Sequence, residues 1–135
     1  MFDPSASKAV DYPDGKTNLH SKMTLGPLWL EGLSMVPDAK WILDMPLARN
    51  NLSNAIEFAK AGLRAMPNGS FEALEIGNEP NFYAGTNRGP NYGPADFVQE
   101  WKDWADALRG NLSLGEGPNF WALSLASEAK SPWTV

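Results

Sequence analysis

The residues best suited to chemistry are Asn78 and Glu79, which follow the largely apolar stretch 71–76 and Gly77. That stretch has the length and composition of a buried strand, which Gly77 and Pro80 bring to an abrupt end. Parallel α/β sheets bind ligands and carry out reactions at the carboxyl ends of their strands. A carboxylic acid and a carboxamide placed there can protonate a leaving group and hold a substrate hydroxyl group. The pair therefore predicts an acid–base site at the tip of this strand.

Hydrophobic periodicity places this strand in a series of alternating helices and strands. Residues 1–24 show no sustained period and are predicted to be mostly loop. Trp101 and Trp104 lie on the apolar stripe of a long helix, so we expect them to pack rather than to bind a ligand. The predicted elements are a short helix at 25–35, a strand at 40–45, a helix from Asn50 or Asn51 to about Met66, a strand at 71–76, a helix from Pro94 to Gly110 and a strand at 120–126. This order indicates parallel strands joined by right-handed crossovers.

An α/β fold with this order is either a small doubly wound sheet or part of a (β/α)8 TIM barrel. A nucleotide-binding doubly wound sheet would carry a glycine-rich phosphate loop after a strand, and the sequence contains none. The barrel predicts polar residues after its strands, as found at Asp44, at 78–79 and at Ser127–Glu128. A full barrel needs about 250 residues. We therefore expect residues 1–135 to be a fragment of one (β/α)8 domain, with about three parallel strands and intervening helices.

The composition argues against several other classes of protein. The chain is 43% hydrophobic with a net charge of −5 and no cluster of Lys or Arg, so no nucleic-acid partner is predicted. No apolar run approaches the roughly 20 residues of a membrane span, and residues 1–4 lack the features of a signal peptide. Cysteine is absent and His20 is the single histidine, without a nucleophile-elbow motif. The sequence therefore predicts no metal site, no cofactor and no Ser-His-Asp triad.

Three Asn-x-Ser sequons begin at Asn51, Asn68 and Asn111. Each lies at a predicted loop or helix edge, where a glycan can be accommodated. Such tripeptides also arise by chance in chains rich in Asn and Ser. Glycosylation and chance occurrence both stay open at this point.

The segment Gly77–Pro80 resembles the clan of retaining (β/α)8 glycoside hydrolases, in which the Glu of an Asn-Glu-Pro motif at the end of strand 4 is the general acid/base. With its flanks, the sequence is similar to glycoside hydrolase family 79, the β-glucuronidase and heparanase-like enzymes, and most of all to the secreted fungal members. The resemblance covers the chain in order, from after strand 2 through strand 5, so that the strands correspond approximately to strands 3 to 5. The segments that carry it are 25–31, 40–43, 71–83 and 132–135.

The resemblance implies a role for each residue of the strand tip. Glu79 would be the general acid/base, Asn78 would donate a hydrogen bond to the sugar 2-hydroxyl, and Tyr83 would line the substrate site. The family's nucleophile is a second Glu on a later strand, near strand 7, for which this chain offers no counterpart. The resemblance thus implies a carbohydrate-cleaving enzyme, secreted as a full-length parent, of which this chain alone is inactive.

The sequence departs from the family at several positions. Asn81 and Phe82 stand where relatives often have Asp and Leu, and Asp44 and Pro46 stand where they tend to have Gly and Asn. Glu75 and Glu128 are two other glutamates near strand ends, and using either as nucleophile would be foreign to the family. Simpler structural roles also stay open: a solvated turn carboxylate for Glu79, a turn residue for Asn78 and a packed loop anchor for Tyr83.

Two other functions compete with a β-glucuronidase. The first is a different hydrolase of the same clan, such as a β-glucanase or mannanase. The second is a non-catalytic sugar-binding remnant on the same fold. Substrate preference separates the first from a glucuronidase, and sugar binding without turnover identifies the second.

Overall fold

A computed structural model describes most of the chain, and the chain falls into two compact units. The described residues are 1–13, 15, 22–117, 119–122, 124–126 and 133. The first unit comprises Met1–Trp41 and Ser53–Glu72, and the second comprises Ile42–Leu52 and Ala73–Val135. His20 and the segment Ser127–Glu128, both named in the sequence analysis, lie outside the described residues.

The helices and strands follow one another largely as the sequence predicts. In chain order they are β1 (Val10–Asp11), β2 (Thr24–Leu25), α1 (Pro27–Glu31), β3 (Trp41–Met45), α2 (Leu52–Ala65), β4 (Phe71–Ile76), α3 (Pro94–Asn111) and β5 (Phe120–Trp121). Single turns of 3₁₀ helix cover Gly32–Ser34, Leu47–Arg49 and Pro80–Phe82. Pro27 opens α1 and Pro94 opens α3, where a missing N–H costs nothing because that group has no partner within the helix.

The strands β3, β4 and β5 form one parallel sheet, in which β4 lies between the other two. Leu74 pairs with Phe120 and Glu75 with Trp121, which makes β4 and β5 parallel. The amide of Trp41 donates to Ser70 at 2.7 Å at one end of β3, and the amide of Gly77 donates to Met45 at 3.1 Å at the other. Because α2 joins β3 to β4 and α3 joins β4 to β5, the chain is α/β and corresponds to a part of a (β/α)8 barrel.

The last strand is shorter than the sequence predicts. β5 ends at Trp121, and Ser124 forms only an isolated parallel bridge to Asn78. The backbone of Gly77 has a φ of +82°, which takes the chain out of the extended conformation between Ile76 and Asn78. Gly77 therefore interrupts β4 before the bridge between Asn78 and Ser124.

The first unit buries aromatic side chains against α2. Ala55, Phe58, Ala59 and Gly62 form its buried face, and they recur at steps of three and four residues. The prediction from the sequence included Ala55 and Ala59 but not Phe58. The ring of Phe58 lies 5.7 Å from that of Phe2 and 6.0 Å from that of Trp29. These contacts join the amino-terminal segment and α1 to the same hydrophobic core.

The second unit has its own core around β3, β4 and α3. The prediction that Trp101 and Trp104 pack is confirmed. Trp104 is buried, and the rings of Trp101 and Phe120 meet edge to face with their centroids 6.3 Å apart. The indole N–H of Trp101 also donates to the carbonyl of Trp121 at 3.2 Å. Within the described residues, no helix is long and apolar enough to cross a membrane. The fully buried side chains of this unit include Met45, Leu47, Leu74, Ile76, Phe97 and Leu108.

Candidate active site

Gly77 ends β4 in a conformation and a space that suit only glycine. Its φ of +82° lies in the left-handed region. A Cβ atom added there would lie 2.9 Å from Cδ2 of Leu47 and 3.3 Å from the hydroxyl oxygen of Tyr83. Leu47 is fully buried, and side chains in such a core are closely packed on all sides. The sharp exit of the chain from β4 is therefore built into the packing of the core.

Asn78 and Glu79 both lie exposed at this tip, as predicted from the sequence. Glu79 adopts a left-handed backbone, with φ 51° and ψ 50°, which is uncommon for a residue other than glycine. Its amide donates to the carbonyl of Ser124 at 2.7 Å, and its carbonyl accepts from the amide of Phe82 at 3.0 Å. Pro80, directly after it, is fully buried. The backbone of Glu79 is thus held on both sides while its carboxylate faces solvent.

Two further carboxylates lie in the sheet, Asp44 on β3 and Glu75 on β4, the strand that carries Glu79 at its tip. Asp44 is exposed between the buried side chains of Leu43 and Met45, as the alternation of a strand requires. Glu75 is partly buried in β4, and its carboxylate accepts a hydrogen bond from the hydroxyl of Ser124. Protein atoms around the Asp44 carboxyl group displace part of its hydration. That desolvation and, secondly, the charge of Glu75 raise the pKa of Asp44 to about 6.

This shift predicts that Asp44→Asn stabilises the protein only where Asp44 is ionised. Because the folded-state pKa lies above the ordinary value of 3.8, ionisation of Asp44 costs stability as the pH rises through that interval. We expect the variant to raise the midpoint of thermal unfolding at about pH 7.5 and to leave it unchanged at about pH 3. Asp103→Asn, at an exposed position of α3, is the control and should show no such difference. An equal effect of Asp44→Asn at both pH values would contradict the prediction.

Tyr83 is only 3% exposed, and its ring supports the loop that follows the site. The ring stacks on that of Tyr92 with centroids 5.9 Å apart. Burial, followed by the negative charge of Asp44, raises the pKa of Tyr83 to about 12. In this chain the tyrosine is therefore a neutral packing residue beneath Gly77. A contact between Tyr83 and substrate stays a prediction.

Arg88 connects the same loop to two other elements, in a network that the sequence analysis did not predict. Its guanidinium binds Glu100 of α3 in a fork, with Nε–Oε1 at 2.8 Å and a second N–O distance of 3.1 Å. It also donates to the carbonyls of Leu47 at 2.9 Å and Ala48 at 3.2 Å. Tyr92 donates to Glu100 at 3.0 Å. The side chain of Arg88 is 11% exposed, so these bonds are largely shielded from solvent.

The paired hydrogen bonds between Arg88 and Glu100 predict that Arg88→Lys destabilises the protein although it preserves the charge. The single ammonium group of lysine cannot donate to the Glu100 carboxylate and to both backbone carbonyls as the planar guanidinium does. Some of these acceptors therefore lose their hydrogen-bond donor. We expect the free energy of unfolding, measured by urea denaturation, to fall by about 2 kcal/mol. Arg64→Lys, at an exposed position of α2, should change it by less than about 0.5 kcal/mol. Equal effects of the two substitutions would show that the fork contributes little.

An open groove of about 490 Å³ lies between this loop and α3. Neither Asn78 nor Glu79 lines it, and the charges of Arg88 and Glu100 within it are already paired. We therefore assign the groove no ligand. Its lining residues are Arg88, Gly89, Pro90, Asn91, Tyr92, Asp96, Gln99 and Glu100.

The remaining candidate positions are spread over the surface. Asn68 and Asn111 are exposed and Asn51 is partly buried, and the side-chain amide of Asn111 donates to the carbonyl of Ala107 at 2.8 Å. Among the described residues, no group of three or more His, Asp or Glu side chains is arranged to hold a metal ion. Glu128, the second rival nucleophile, lies outside the described part of the chain.

The chain thus presents a parallel α/β sheet with an exposed carboxylate and carboxamide at the tip of its central strand. In an alignment of 111 residues that covers 75% of the chain, it is 26% identical to a beta-glucuronidase of Aspergillus niger, of which it spans 20%. Its structure matches that of a 4-O-alpha-L-rhamnosyl-beta-D-glucuronidase from Fusarium oxysporum, solved as a Rha-GlcA complex, with a TM-score of 0.72 and 27% identity. That match covers 84% of this chain and 25% of the other. No protein-family model matches the sequence.

Proposed function

We propose that this chain is part of the catalytic domain of a retaining glycoside hydrolase of family 79 that cleaves β-glucuronides. Glu79 is its general acid/base, and Asn78 holds the sugar 2-hydroxyl. The observation that carries the proposal is the pair of exposed side chains on a rigid strand tip, in a chain similar to two glucuronidases. A parallel sheet presents its reactive groups at this end of its strands.

The reaction requires two carboxyl groups about 5–5.5 Å apart. In the first step Glu79 gives its proton to the glycosidic oxygen while the second carboxylate attacks the anomeric carbon. The aglycone leaves as an alcohol, and a glycosyl ester remains. In the second step Glu79, now ionised, takes a proton from a water molecule that attacks the same carbon. The ester bond breaks, the nucleophile is released as a carboxylate, and the sugar keeps its β configuration.

The second carboxylate belongs, in this proposal, to a later barrel strand outside this chain. Glu75 is a poor substitute because its carboxylate already accepts the hydroxyl of Ser124. The chain by itself therefore has no turnover, and activity belongs to the full-length enzyme that carries both carboxylates. We further propose that this enzyme is secreted and carries N-glycans at the sequons of Asn51, Asn68 and Asn111.

A panel of p-nitrophenyl β-glycosides, assayed with the full-length enzyme, tests the proposed substrate. We expect kcat/KM for the glucuronide to exceed that for the glucoside and the mannoside by at least about 100-fold, because a site that binds the uronate carboxylate leaves polar groups unpaired with neutral sugars. Preference for the glucoside or the mannoside would indicate another hydrolase of the clan. Binding of glucuronide without release of p-nitrophenol would indicate a sugar-binding protein.

A further inference from the structure

The segment 124–126 holds the tip of β4 at separate points. The carbonyl of Ser124 accepts from the amide of Glu79 at 2.7 Å. The amide of Ala126 donates to Oδ1 of Asn81 at 3.1 Å. Because β4 ends at Ile76, these contacts and the bridge between Asn78 and Ser124 lie beyond the regular pairing of β4 with β5. On this side the tip is therefore held by a few individual contacts, of which the one with Asn81 involves a side chain.

Ser124 is fixed by its side chain as well as by its backbone. Its hydroxyl donates to the carboxylate of Glu75, which stands within the regular part of β4. The strand thus holds Ser124 through Glu75, and Ser124 in turn holds Glu79 through its carbonyl.

The tip needs such support because the backbone of Glu79 is left-handed. A residue with a side chain occupies this region at a cost of about 1–2 kcal/mol, and returns to the right-handed region unless its surroundings prevent it. That change of φ would swing the carboxylate away from its place. In a catalytic site a displacement of about 1 Å can cost about 100-fold in rate.

We infer that Glu75, Ser124 and Asn81 are positioning residues that hold Glu79 in place for proton transfer, Glu75 acting through Ser124 and Asn81 through Ala126. The inference rests on the proposed function of Glu79. It assigns Glu75 a structural task in place of nucleophilic attack. It also gives Asn81, one of the departures from the family pattern, a defined contact.

The test compares two substrates that differ in their need for an acid. Phenyl β-glucuronide requires protonation of its leaving group, whereas 2,4-dinitrophenyl β-glucuronide does not. In the full-length enzyme, we expect Ser124→Ala, Glu75→Ala and Asn81→Ala each to lower kcat/KM for the phenyl substrate by about 10–100-fold. For the dinitrophenyl substrate the loss should stay below about threefold, since a misplaced acid does not affect it. A loss of folded enzyme would lower both values equally.

Conservative variants sharpen this test. Ser124→Thr keeps the hydroxyl and Glu75→Gln keeps an accepting oxygen, so both should retain activity close to that of the unchanged enzyme on both substrates. Glu72→Ala, at an exposed position of the same strand, is the matched control and should have no effect. Parallel losses on both substrates in variants that remain folded, or no loss on either substrate, would overturn the inference.

The proposed function can be judged separately in the same assay. If the unchanged enzyme cleaves neither substrate, or if Glu79→Gln leaves the phenyl rate unchanged, the role of Glu79 fails and the inference fails with it. If Glu79→Gln behaves as an acid knockout while the positioning variants do not discriminate between the substrates, only the inference fails.

Discussion

Glu79→Gln is expected to lower kcat/KM of the full-length enzyme for phenyl β-glucuronide by about 10²–10⁴-fold. Glutamine has almost the same shape as glutamic acid but has no acidic proton to give to the glycosidic oxygen. The exposed side chain makes no contact that the core depends on, so the folded structure should persist. For 2,4-dinitrophenyl β-glucuronide, kcat/KM should change little because that leaving group departs without protonation.

Glu72→Gln is the matched control for this substitution. Glu72 is also an exposed glutamate of β4, but it stands near the opposite end of the strand from the tip. It should leave kcat/KM unchanged for both substrates. If Glu72→Gln and Glu79→Gln had the same effect, or if Glu79→Gln lowered both rates equally, Glu79 would not be the acid.

Gly77→Ala is expected to have the largest effect on stability. The substitution places a side chain where φ is +82° and brings its Cβ to 2.9 Å from the buried side chain of Leu47. Backbone strain and overpacking together should lower the free energy of unfolding by roughly 2–4 kcal/mol, measured by urea denaturation. Because Asn78 and Glu79 follow directly, the variant should also lower activity on substrates that need an acid.

Gly85→Ala separates the two causes. Gly85 belongs to the same unit and has a φ of +70°, but an added Cβ atom would meet nothing within 4 Å. Gly85→Ala should therefore lower the free energy of unfolding through backbone strain alone, by about 1–2 kcal/mol. If Gly85→Ala were as destabilising as Gly77→Ala, the contact with Leu47 would contribute nothing.

The elements that position the site could largely be predicted from local sequence. The strand Phe71–Ile76 has the predicted bounds because an apolar run there meets a clear stop at Gly77. The helices Leu52–Ala65 and Pro94–Asn111 follow from apolar residues at steps of three and four, with Pro94 marking one start. Because the strand ends before Gly77, Asn78 and Glu79 are predicted to lie exposed at its tip.

The rest depends on residues that are distant in sequence. Arg88 stands between two tyrosines in a loop rich in Gly and Asn, but nothing local indicates that it binds Glu100 on the next helix. The role of Ser124 likewise becomes visible only when β5 is placed beside β4. The short pairing of β1 with β2 is missed because two residues on each side form no recognisable period.

The left-handed backbone of Glu79 is a fourth feature that the local sequence pattern does not reveal. Propensity disfavours it, since such conformations are mainly those of glycine, asparagine and aspartate. It arises because Gly77, Pro80 and the carbonyl of Ser124 fix the chain on both sides. A strained residue that also bears the candidate catalytic group is what a functional strand tip would contain.

Rescue by azide tests the role of Glu79 most directly. In the full-length enzyme carrying Glu79→Ala, 2,4-dinitrophenyl β-glucuronide can still form the glycosyl ester, but no base activates water to release it. Azide needs no base, so it should restore turnover by about 10-fold or more and give β-glucuronyl azide as the product, identified by its anomeric configuration. A rate independent of azide, with glucuronic acid as the sole product, would contradict the assignment of Glu79 as the general acid/base.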